Sequence, residues 1–247
     1  MRKLLLLLSL IIMKSSNGST VNYTLDIKNP NSHYAKVSLE IKDHGGKITN
    51  VKMPVWAPGS YMIREFERNI DQVKAFADGK PISINKTDKS TWSFKPVSKT
   101  AVIQIEYDIY CYESSVRTSF ISNDHAFLIF SSVLMYADPQ NQKGNLSFVF
   151  PDIWKKISCT LPQVNDRTFS YSNLDELIDS PVEIGNHDLI EFEVAGVKHT
   201  VAMVGKNNCD YNTFKTDLTK VCSTMYNIVG AHPCKSYLFI VHNVEEG

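Results

Sequence analysis

The sequence lacks an excess of charge of either sign. Its 247 residues include 26 Lys and Arg against 26 Asp and Glu, and no long basic run interrupts this balance. Without a basic patch there is no electrostatic reason for the chain to bind a phosphate backbone, so we expect no nucleic-acid partner. With 43% hydrophobic residues, the chain has the composition of a folded protein. Its length allows one large domain or two smaller ones.

The sequence also lacks the short motifs that carry hydrolytic and nucleotide-dependent chemistry. A helical zinc protease site needs two histidines four residues apart, so that both imidazoles face the same side, with a Glu beside the first. No two of the seven histidines have this spacing. The patterns Gly-x-Ser-x-Gly, Gly-x-x-x-x-Gly-Lys and Gly-x-Gly-x-x-Gly are absent too. We therefore expect no catalytic residue, no metal ligand and no cofactor in this chain.

Cysteines are few, odd in number and widely spaced. None of them forms a Cys-x-x-Cys pair, so a structural zinc site of that kind is not predicted. An odd number leaves at least one thiol unpaired within the chain, and the spacing is not typical of a disulfide framework. The five are Cys111, Cys159, Cys209, Cys222 and Cys234.

No apolar run is long enough to cross a bilayer as a helix, which takes about 20 residues. A shorter run, Leu4 to Met13, follows the cationic Arg2 and Lys3 and precedes the small residues around Gly18. This order predicts a cleaved secretory signal peptide over residues 1–18 and hence an exported protein, periplasmic or secreted, with no membrane span after cleavage. An uncleaved anchor is the alternative.

From residue 19 to about 205 the dominant pattern has period two, which is typical of strands with one buried face. Ala101 to Tyr110 and Tyr34 to Lys42 show it well, and no pattern of helical length precedes residue 205. Asp78-Gly79 and Ala195-Gly196 have the composition of tight hairpin turns. Together these features predict a mainly β, antiparallel β-sandwich domain over 19–205.

The pattern changes after Gly205. Asp210 can cap a helix whose apolar residues recur at spacings of three and four as far as Gly230, and Ser236 to His242 holds a continuous apolar run typical of a strand covered on both faces. A helix followed by such a strand predicts the start of an α/β domain over 206–247, ending inside that domain. We expect its exposed apolar faces to cause dimerisation or poor solubility unless they fold back on the β domain.

Three histidines invite a catalytic or metal-binding interpretation. His125 and His242 have apolar sequence neighbours, where a hydrogen-bonded histidine at a strand edge is a commoner arrangement than a metal ligand. His232 and Cys234 flank a proline and could form a nucleophile pair, although residues at a helix exit more often have a structural role. We assign none of them to a site.

The densest group of unusual residues is Pro54 to Phe66. Two prolines and a glycine fix an irregular loop, and Arg64 carries a guanidinium that can hold a carboxylate through two hydrogen bonds. Tyr61 and Arg64 could therefore form a wall of a substrate cleft. The loop could instead be a corner at a domain interface, with Arg64 tied to a nearby carboxylate, and fixed turns with aromatic anchors favour this second interpretation.

The same residues resemble a known family. Pro-x-Trp-x-Pro-Gly-Ser-Tyr-x-x-Arg at 54–64 is similar to the signature of the N-terminal domain of the glycyl aminopeptidase type of zinc metallopeptidase, and Asp-Ser-Pro-x-Glu-x-Gly at 179–185 is similar to its junction motif. Further matches fall at 89–92 and 116–130, and the helix and strand predicted over 206–247 resemble the truncated start of the family's catalytic peptidase domain. The resemblance therefore covers nearly all of the chain after residue 18. The motif residues with an expected structural role are Trp56, Pro58, Gly59, Asp179, Pro181 and Glu183.

The resemblance implies a β-rich N-terminal domain that leans on a thermolysin-like catalytic domain, with a PDZ domain further along the chain in longer members. It implies zinc in the full-length parent and a peptide substrate that binds through the catalytic domain. The family's zinc ligands and general-base Glu have no counterpart in this sequence. We therefore expect a non-catalytic front portion that forms one wall of the substrate cleft, docks the catalytic domain and is inactive alone.

Two other functions remain open. The chain could be a stand-alone domain of the cell envelope that binds peptide or glycan without catalysis. It could also be a structural domain with a closed surface around Tyr61 and Arg64. Exposure of those two side chains would favour a cleft over the closed surface.

Overall fold

The computed structural model of the chain describes residues 18–95 and 97–244. The predicted signal peptide therefore lies outside the described residues, apart from Gly18. Within the described part, no helix is both long and apolar enough to cross a membrane.

The fold is mainly β, as the alternating sequence pattern predicts. Two α-helices are described, α1 (Leu174–Ile178) and α2 (Tyr211–Val229). The strands in chain order are β1 (Ser19–Asp26), β2 (Tyr34–Lys42), β3 (Asn50–Lys52), β4 (Ile70–Ala77), β5 (Lys80–Ile82), β6 (Ile84–Lys86), β7 (Thr91–Phe94), β8 (Ile103–Tyr110), β9 (Phe120–Ile121), β10 (Ala126–Leu128), β11 (Tyr136–Asp138), β12 (Gln142–Val149), β13 (Lys156–Ser158), β14 (Gln163–Asn165), β15 (Thr168–Tyr171), β16 (Val182–Gly185), β17 (Asp188–Val194), β18 (Val197–Val204) and β19 (Ser236–His242).

The largest sheet has eight strands in the order β14-β15-β12-β1-β2-β8-β4-β5. Its pairs are antiparallel except β1 and β12, which run parallel. In β8 the residues Ile103, Ile105, Tyr107 and Ile109 are buried while those between them are partly exposed. This confirms the period-two pattern, because alternate side chains of a strand point to opposite faces of the sheet.

Two four-stranded sheets complete the β domain, in the orders β13-β16-β10-β9 and β11-β3-β7-β6. Their buried side chains join those of the large sheet in one hydrophobic cluster, which includes Leu128 and Ile184 from one small sheet and Val51 and Trp92 from the other. The sheets thus share a single core. The structure confirms a β-rich domain built mostly from antiparallel pairs.

A buried polar network crosses this core. The Gln142 amide donates to the Tyr23 hydroxyl at 2.8 Å and accepts from the Ala137 N–H at 3.0 Å. The Tyr23 and Tyr107 hydroxyls donate to the carbonyls of Met135 and Val133. Burial raises the pKa of Tyr23, so its hydroxyl stays protonated and can donate.

A smaller unit follows. Strands β17, β18 and β19 form a separate three-stranded sheet, with β17 and β18 antiparallel and β18 and β19 parallel. Helix α2 packs on this sheet through Phe214, Leu218 and Cys222, and the sheet contributes its own buried cluster around Val201. The boundary predicted at 205/206 falls between β18 and α2. Hydrogen bonds, however, join β17 and β18 to β19, which lies beyond that boundary.

Helix α1 lies before residue 205, and with only five residues it is too short to show a helical repeat in the sequence. One local expectation differs from the structure. Strand β19 was expected to be covered on both faces, yet each of its residues is at least partly exposed. Only β18 pairs with β19 among the described residues, so one edge of β19 has no neighbour there.

Candidate functional site

The loop between β3 and β4 carries the first group of motif residues, and its base is fixed by hydrogen bonds. The Arg64 N–H donates to the Val55 carbonyl at 2.8 Å, and the Ser60 N–H donates to the Ala57 carbonyl at 3.0 Å. The Trp56 indole N–H donates to the Ser60 carbonyl. Gly59 has φ of +74°, a conformation that favours glycine. The motif therefore specifies a rigid turn.

The tip of this loop points its apolar side chains to solvent. Tyr61, Met62 and Ile63 are exposed, and half of the Trp56 surface is exposed as well. Arg64 is half-buried, and its guanidinium donates to the Ser60 hydroxyl at 3.0 and 3.1 Å. A carboxylate was considered from the sequence as the partner of Arg64, and the structure shows a hydroxyl instead. Pro58 is half-buried at the same turn. The loop thus presents an apolar tip on a fixed base.

The second group of motif residues lies at the end of α1. The Asn173 side chain caps this helix by accepting from the Glu176 N–H at 2.8 Å, and Asp179 follows its last turn. Asp179 is exposed and Pro181 half-buried. Both line a groove of about 870 Å³ whose opposite side is formed by the segment Pro233–Leu238. The motif therefore borders both the β domain and the smaller unit.

Glu183, in the same motif, is fully buried and contacts two histidines from other elements. Its Oε1 lies 2.8 Å from His125 Nδ1, just before β10, and its Oε2 lies 2.9 Å from His242 Nε2, at the end of β19. The three ligand atoms lie within 4.8 Å of one another. The two histidine side chains remain 17% and 21% exposed, so the cluster has one buried and two accessible members.

Gly185 makes this approach possible. A Cβ atom at this position would lie 3.0 Å from the His125 Cβ and 3.2 Å from the Asp124 carbonyl oxygen. Such contacts are tighter than side chains normally allow, so a larger residue would push His125 away from the sheet. The last residue of the Asp-Ser-Pro-x-Glu-x-Gly motif therefore leaves room for the histidine that contacts its glutamate.

A second histidine environment lies nearby. His187 is buried, its Nε2 is 2.8 Å from the Ser158 hydroxyl, and its Nδ1 has no hydrogen-bond partner among the described residues. Burial lowers the pKa of His187, and the negative charge of Glu183 opposes that shift. His187 is therefore neutral at physiological pH.

Aromatic and charged contacts connect the region after the motif loop with the Glu183 cluster. Arg68 pairs with Glu113, and the adjacent Tyr112 stacks on Phe120 with ring centres 5.0 Å apart. Phe120 contacts His125, and the His125 and His242 rings are 5.1 Å apart. These contacts form a continuous row from Arg68 to His242.

The sequence identified some of these residues and missed their arrangement. Glu183 was expected only as a structural motif residue, and the structure brings it together with His125 and His242, which were interpreted as hydrogen-bonded histidines. His187 and Ser158 were not singled out. No local spacing marks the Glu183 cluster, since its two histidines lie 58 and 59 positions from the glutamate in the chain.

The sequence matches the family model described as the peptidase M61 N-terminal domain over residues 22–186. This range covers the β domain and ends just after β16. No curated protein sequence matches the chain.

Solved structures share the fold. An aminopeptidase N family protein from Idiomarina loihiensis superposes with a TM-score of 0.85 at 26% identity, over 92% of this chain and 40% of that one. An M1 zinc metallopeptidase from Deinococcus radiodurans gives a TM-score of 0.57 at 8% identity, over 92% and 58%. Aminopeptidase A from Legionella pneumophila, in complex with aspartic acid, gives 0.54 at 9% identity, over 90% and 28%. The last two likenesses concern the fold alone, and this chain spans less than two thirds of each of these proteins.

Proposed function

The chain belongs to the peptidase M61 N-terminal domain family and is an N-terminal part of a peptidase, and from this premise we propose its role. We propose that it is the non-catalytic front portion of an exported zinc-dependent aminopeptidase. In this role it forms one wall of the substrate cleft and docks the catalytic domain.

The observation that carries the proposal is the exposed apolar tip of the motif loop. Tyr61, Met62 and Ile63 are open to solvent, although their loop is fixed at its base by backbone hydrogen bonds. Large apolar side chains that are held outward on a rigid loop are typical of a contact surface. Tyr61 is suited to a substrate or domain contact, because it combines an apolar ring with a hydroxyl. Arg64, beside it, is the proposed polar contact.

The smaller unit supports the docking role. The family match ends at residue 186, and β17, β18, α2 and β19 continue the chain as a sheet covered by one helix. The outward face of α2 exposes apolar side chains, and one edge of β19 has no neighbour in the described chain. We assign these surfaces to the catalytic domain, and in the isolated chain to a second copy.

The family implies a catalytic zinc ion, but this sequence contains no motif that would bind it. Zinc in such enzymes polarises the scissile carbonyl and activates water. No two histidines here are four residues apart, so the helical ligand pair is not supplied by these 247 residues. The proposed zinc-dependent activity therefore belongs to the parent protein, and peptide is its proposed substrate.

Export, to the periplasm or outside the cell, is proposed from the sequence of residues 1–18 alone. Their cationic start, apolar run and small residues have the order of a signal peptide. A PDZ domain further along the parent is proposed only from the resemblance to longer family members.

The first experiment measures hydrolysis of a chromogenic glycyl substrate by the purified 247-residue chain with added zinc. We expect no chelator-sensitive hydrolysis, and a clear signal would contradict the assignment as a non-catalytic portion.

Reading the gene beyond codon 247 then tests the parent. We expect a downstream His-Glu-x-x-His, whereas an immediate stop codon would favour the stand-alone binding domain.

The second experiment tests the cleft wall in the protein expressed from the complete reading frame. Tyr61→Ala should raise KM with little change in kcat, because a wall residue binds the substrate without taking part in the chemistry. Ile153→Ala is the control, since Ile153 is another exposed apolar residue of the β domain. Equal KM values for both variants and the unmodified enzyme would remove Tyr61 from the cleft.

A further inference from the structure

We infer that His125, Glu183 and His242 form a binding site for one divalent transition-metal ion, with zinc as the ion that the ligand set suits best. None of the three belongs to a His-Glu-x-x-His pattern, so the site is additional to the function proposed above. It also goes against the sequence expectation that this chain supplies no metal ligand.

The ligand set is of a kind that such metals prefer. Two imidazole nitrogens and one carboxylate are a common set for zinc and for iron(II), whereas magnesium and calcium favour oxygen ligands alone. The ligand nitrogens are Nδ1 of His125 and Nε2 of His242. Partial exposure of both histidines leaves room for water to complete the coordination.

The three side chains converge within reach of a single ion. A tetrahedral zinc ion with nitrogen and oxygen ligands at about 2.0–2.2 Å sets the ligand atoms about 3.3–3.5 Å apart. Here the nitrogen–oxygen distances are 2.8 and 2.9 Å, each to a different oxygen of Glu183, and one ligand atom from each residue lies within 4.8 Å of the others. Side-chain shifts of about 1 Å would therefore replace the two hydrogen bonds with contacts to an ion.

Charge balance supplies an independent argument. Glu183 is fully buried, and among the described residues its ion-pair partners are only the two histidines. A buried carboxylate needs partners that stabilise its charge, and a metal ion bound to its oxygens is one such partner.

The position of the site gives the ion a structural role. Glu183 lies on β16 and His125 directly precedes β10, both in the β domain, whereas His242 ends β19 in the smaller unit. The register pairs Phe127 with Glu183, and the Phe127 ring contacts His242 with ring centres 5.1 Å apart. A metal ion here would cross-link the two units, so it should raise the melting temperature of the chain.

The test titrates ZnCl₂ into the metal-free 247-residue chain by isothermal titration calorimetry. The accessible thiols can bind zinc too, so the background carries Cys209→Ser, Cys222→Ser and Cys234→Ser. We expect one ion per chain and a melting temperature that rises with zinc. The absorption spectrum of the Co²⁺-loaded chain then identifies the ligand atoms. Nitrogen and oxygen ligands give visible bands, whereas a thiolate ligand would add a strong near-ultraviolet band.

Three variants decide the outcome. His242→Gln keeps a side-chain N–H that can donate to Glu183 but removes the imidazole ligand, and Glu183→Gln removes the charge. Each should weaken zinc affinity by at least about 10- to 100-fold, since even the loss of an outer-shell partner of a metal costs that much. His232→Asn is the control, because His232 contacts the Val194 carbonyl outside the cluster.

Unchanged zinc affinity in both His242→Gln and Glu183→Gln would overturn the inference. So would a chain that binds no zinc at all while remaining folded. Neither result depends on peptidase activity, so neither bears on the proposed function.

Discussion

Cys111 and Cys234 show how differently two thiols of this chain are placed. All five cysteines are free in the structure. Cys111 is buried in the β-domain core, and burial raises its pKa to about 12. Cys234 is half-exposed at the groove beside Pro181. The reactive form of cysteine is the thiolate, so the raised pKa of Cys111 adds to its burial in making that thiol unreactive.

We therefore expect iodoacetamide at pH 8 to modify Cys234 in the folded chain and to leave Cys111 unmodified until the chain unfolds. Peptide mass spectrometry after timed labelling measures both sites. Labelling in urea is the control, in which all five cysteines should react. Equal rates at Cys111 and Cys234 in the folded chain would show that the core is open.

At the scale of elements, α2 begins with a strong N-cap. The Asp210 carboxylate accepts from the Asn212 N–H at 3.0 Å and from the Thr213 hydroxyl at 2.7 Å. The Thr213 hydroxyl bond, followed by the backbone N–H bonds, lowers the pKa of Asp210. Asp210 thus stabilises the helix in its charged form, as side-chain caps at helix starts do.

This shift fixes the direction of a pH effect. Because the folded pKa is lowered, the stabilisation is present above the unfolded pKa of about 3.9 and is lost as the pH falls through the folded pKa. Asp210→Ala should lower the melting temperature at pH 7, and its difference from the unmodified chain should shrink in acid. Asp210→Asn is the control, since it can still cap but does not titrate. Circular dichroism melts measure all three, and a difference independent of pH would contradict the prediction.

The contact between β1 and β12 depends on Gly144. A Cβ atom at this position would lie 2.0 Å from the Val21 carbonyl oxygen, which no side-chain rotation can relieve. The two strands are neighbours at the centre of the eight-stranded sheet. Gly144→Ala must therefore separate them or bend the sheet.

We expect Gly144→Ala to reduce the free energy of unfolding by about 3 kcal/mol or more, because a clash with backbone forces the paired strands out of position. Gly79→Ala is the matched control, because Gly79 sits in open space with φ of +75°. It should lose only about 1–2 kcal/mol, the cost of left-handed backbone for a residue with a Cβ. Urea titration measures both, and similar losses would contradict the clash.

At the scale of the whole molecule, the two units differ in how completely they are covered. The β domain has one large core, whereas the smaller unit has a small cluster under α2. The outer face of α2 exposes Val221, Met225, Ile228 and Val229. Such a face is suited to another protein surface.

We expect the purified chain to form dimers through this face as its concentration rises. Replacing Met225 and Ile228 with Glu should keep it monomeric, because a dimer would bury the new charges. Thr216→Glu adds a charge at an exposed polar position of the same helix and should leave dimerisation unchanged. Light scattering over a concentration series gives the mass, and a monomer at every concentration would exclude this surface from self-association.

The features that follow from the order of residues alone are local. The strands β2 and β8, the hairpin turns at Asp78-Gly79 and Ala195-Gly196, and helix α2 from the Asp210 cap to Gly230 are all confirmed, because periodicity, turn glycines and caps act over a few residues. The motifs around Pro58 and Pro181 also carried the family resemblance.

Contacts between distant residues, by contrast, depend on how the elements pack. The sequence could not group β17 and β18 with β19, because that choice depends on hydrogen bonds between strands more than thirty residues apart. Nor could it bring His125 and His242 to opposite oxygens of Glu183, across 58 and 59 positions. Sequence patterns report the direction in which a side chain points relative to its own element, whereas a site depends on how the elements pack against one another.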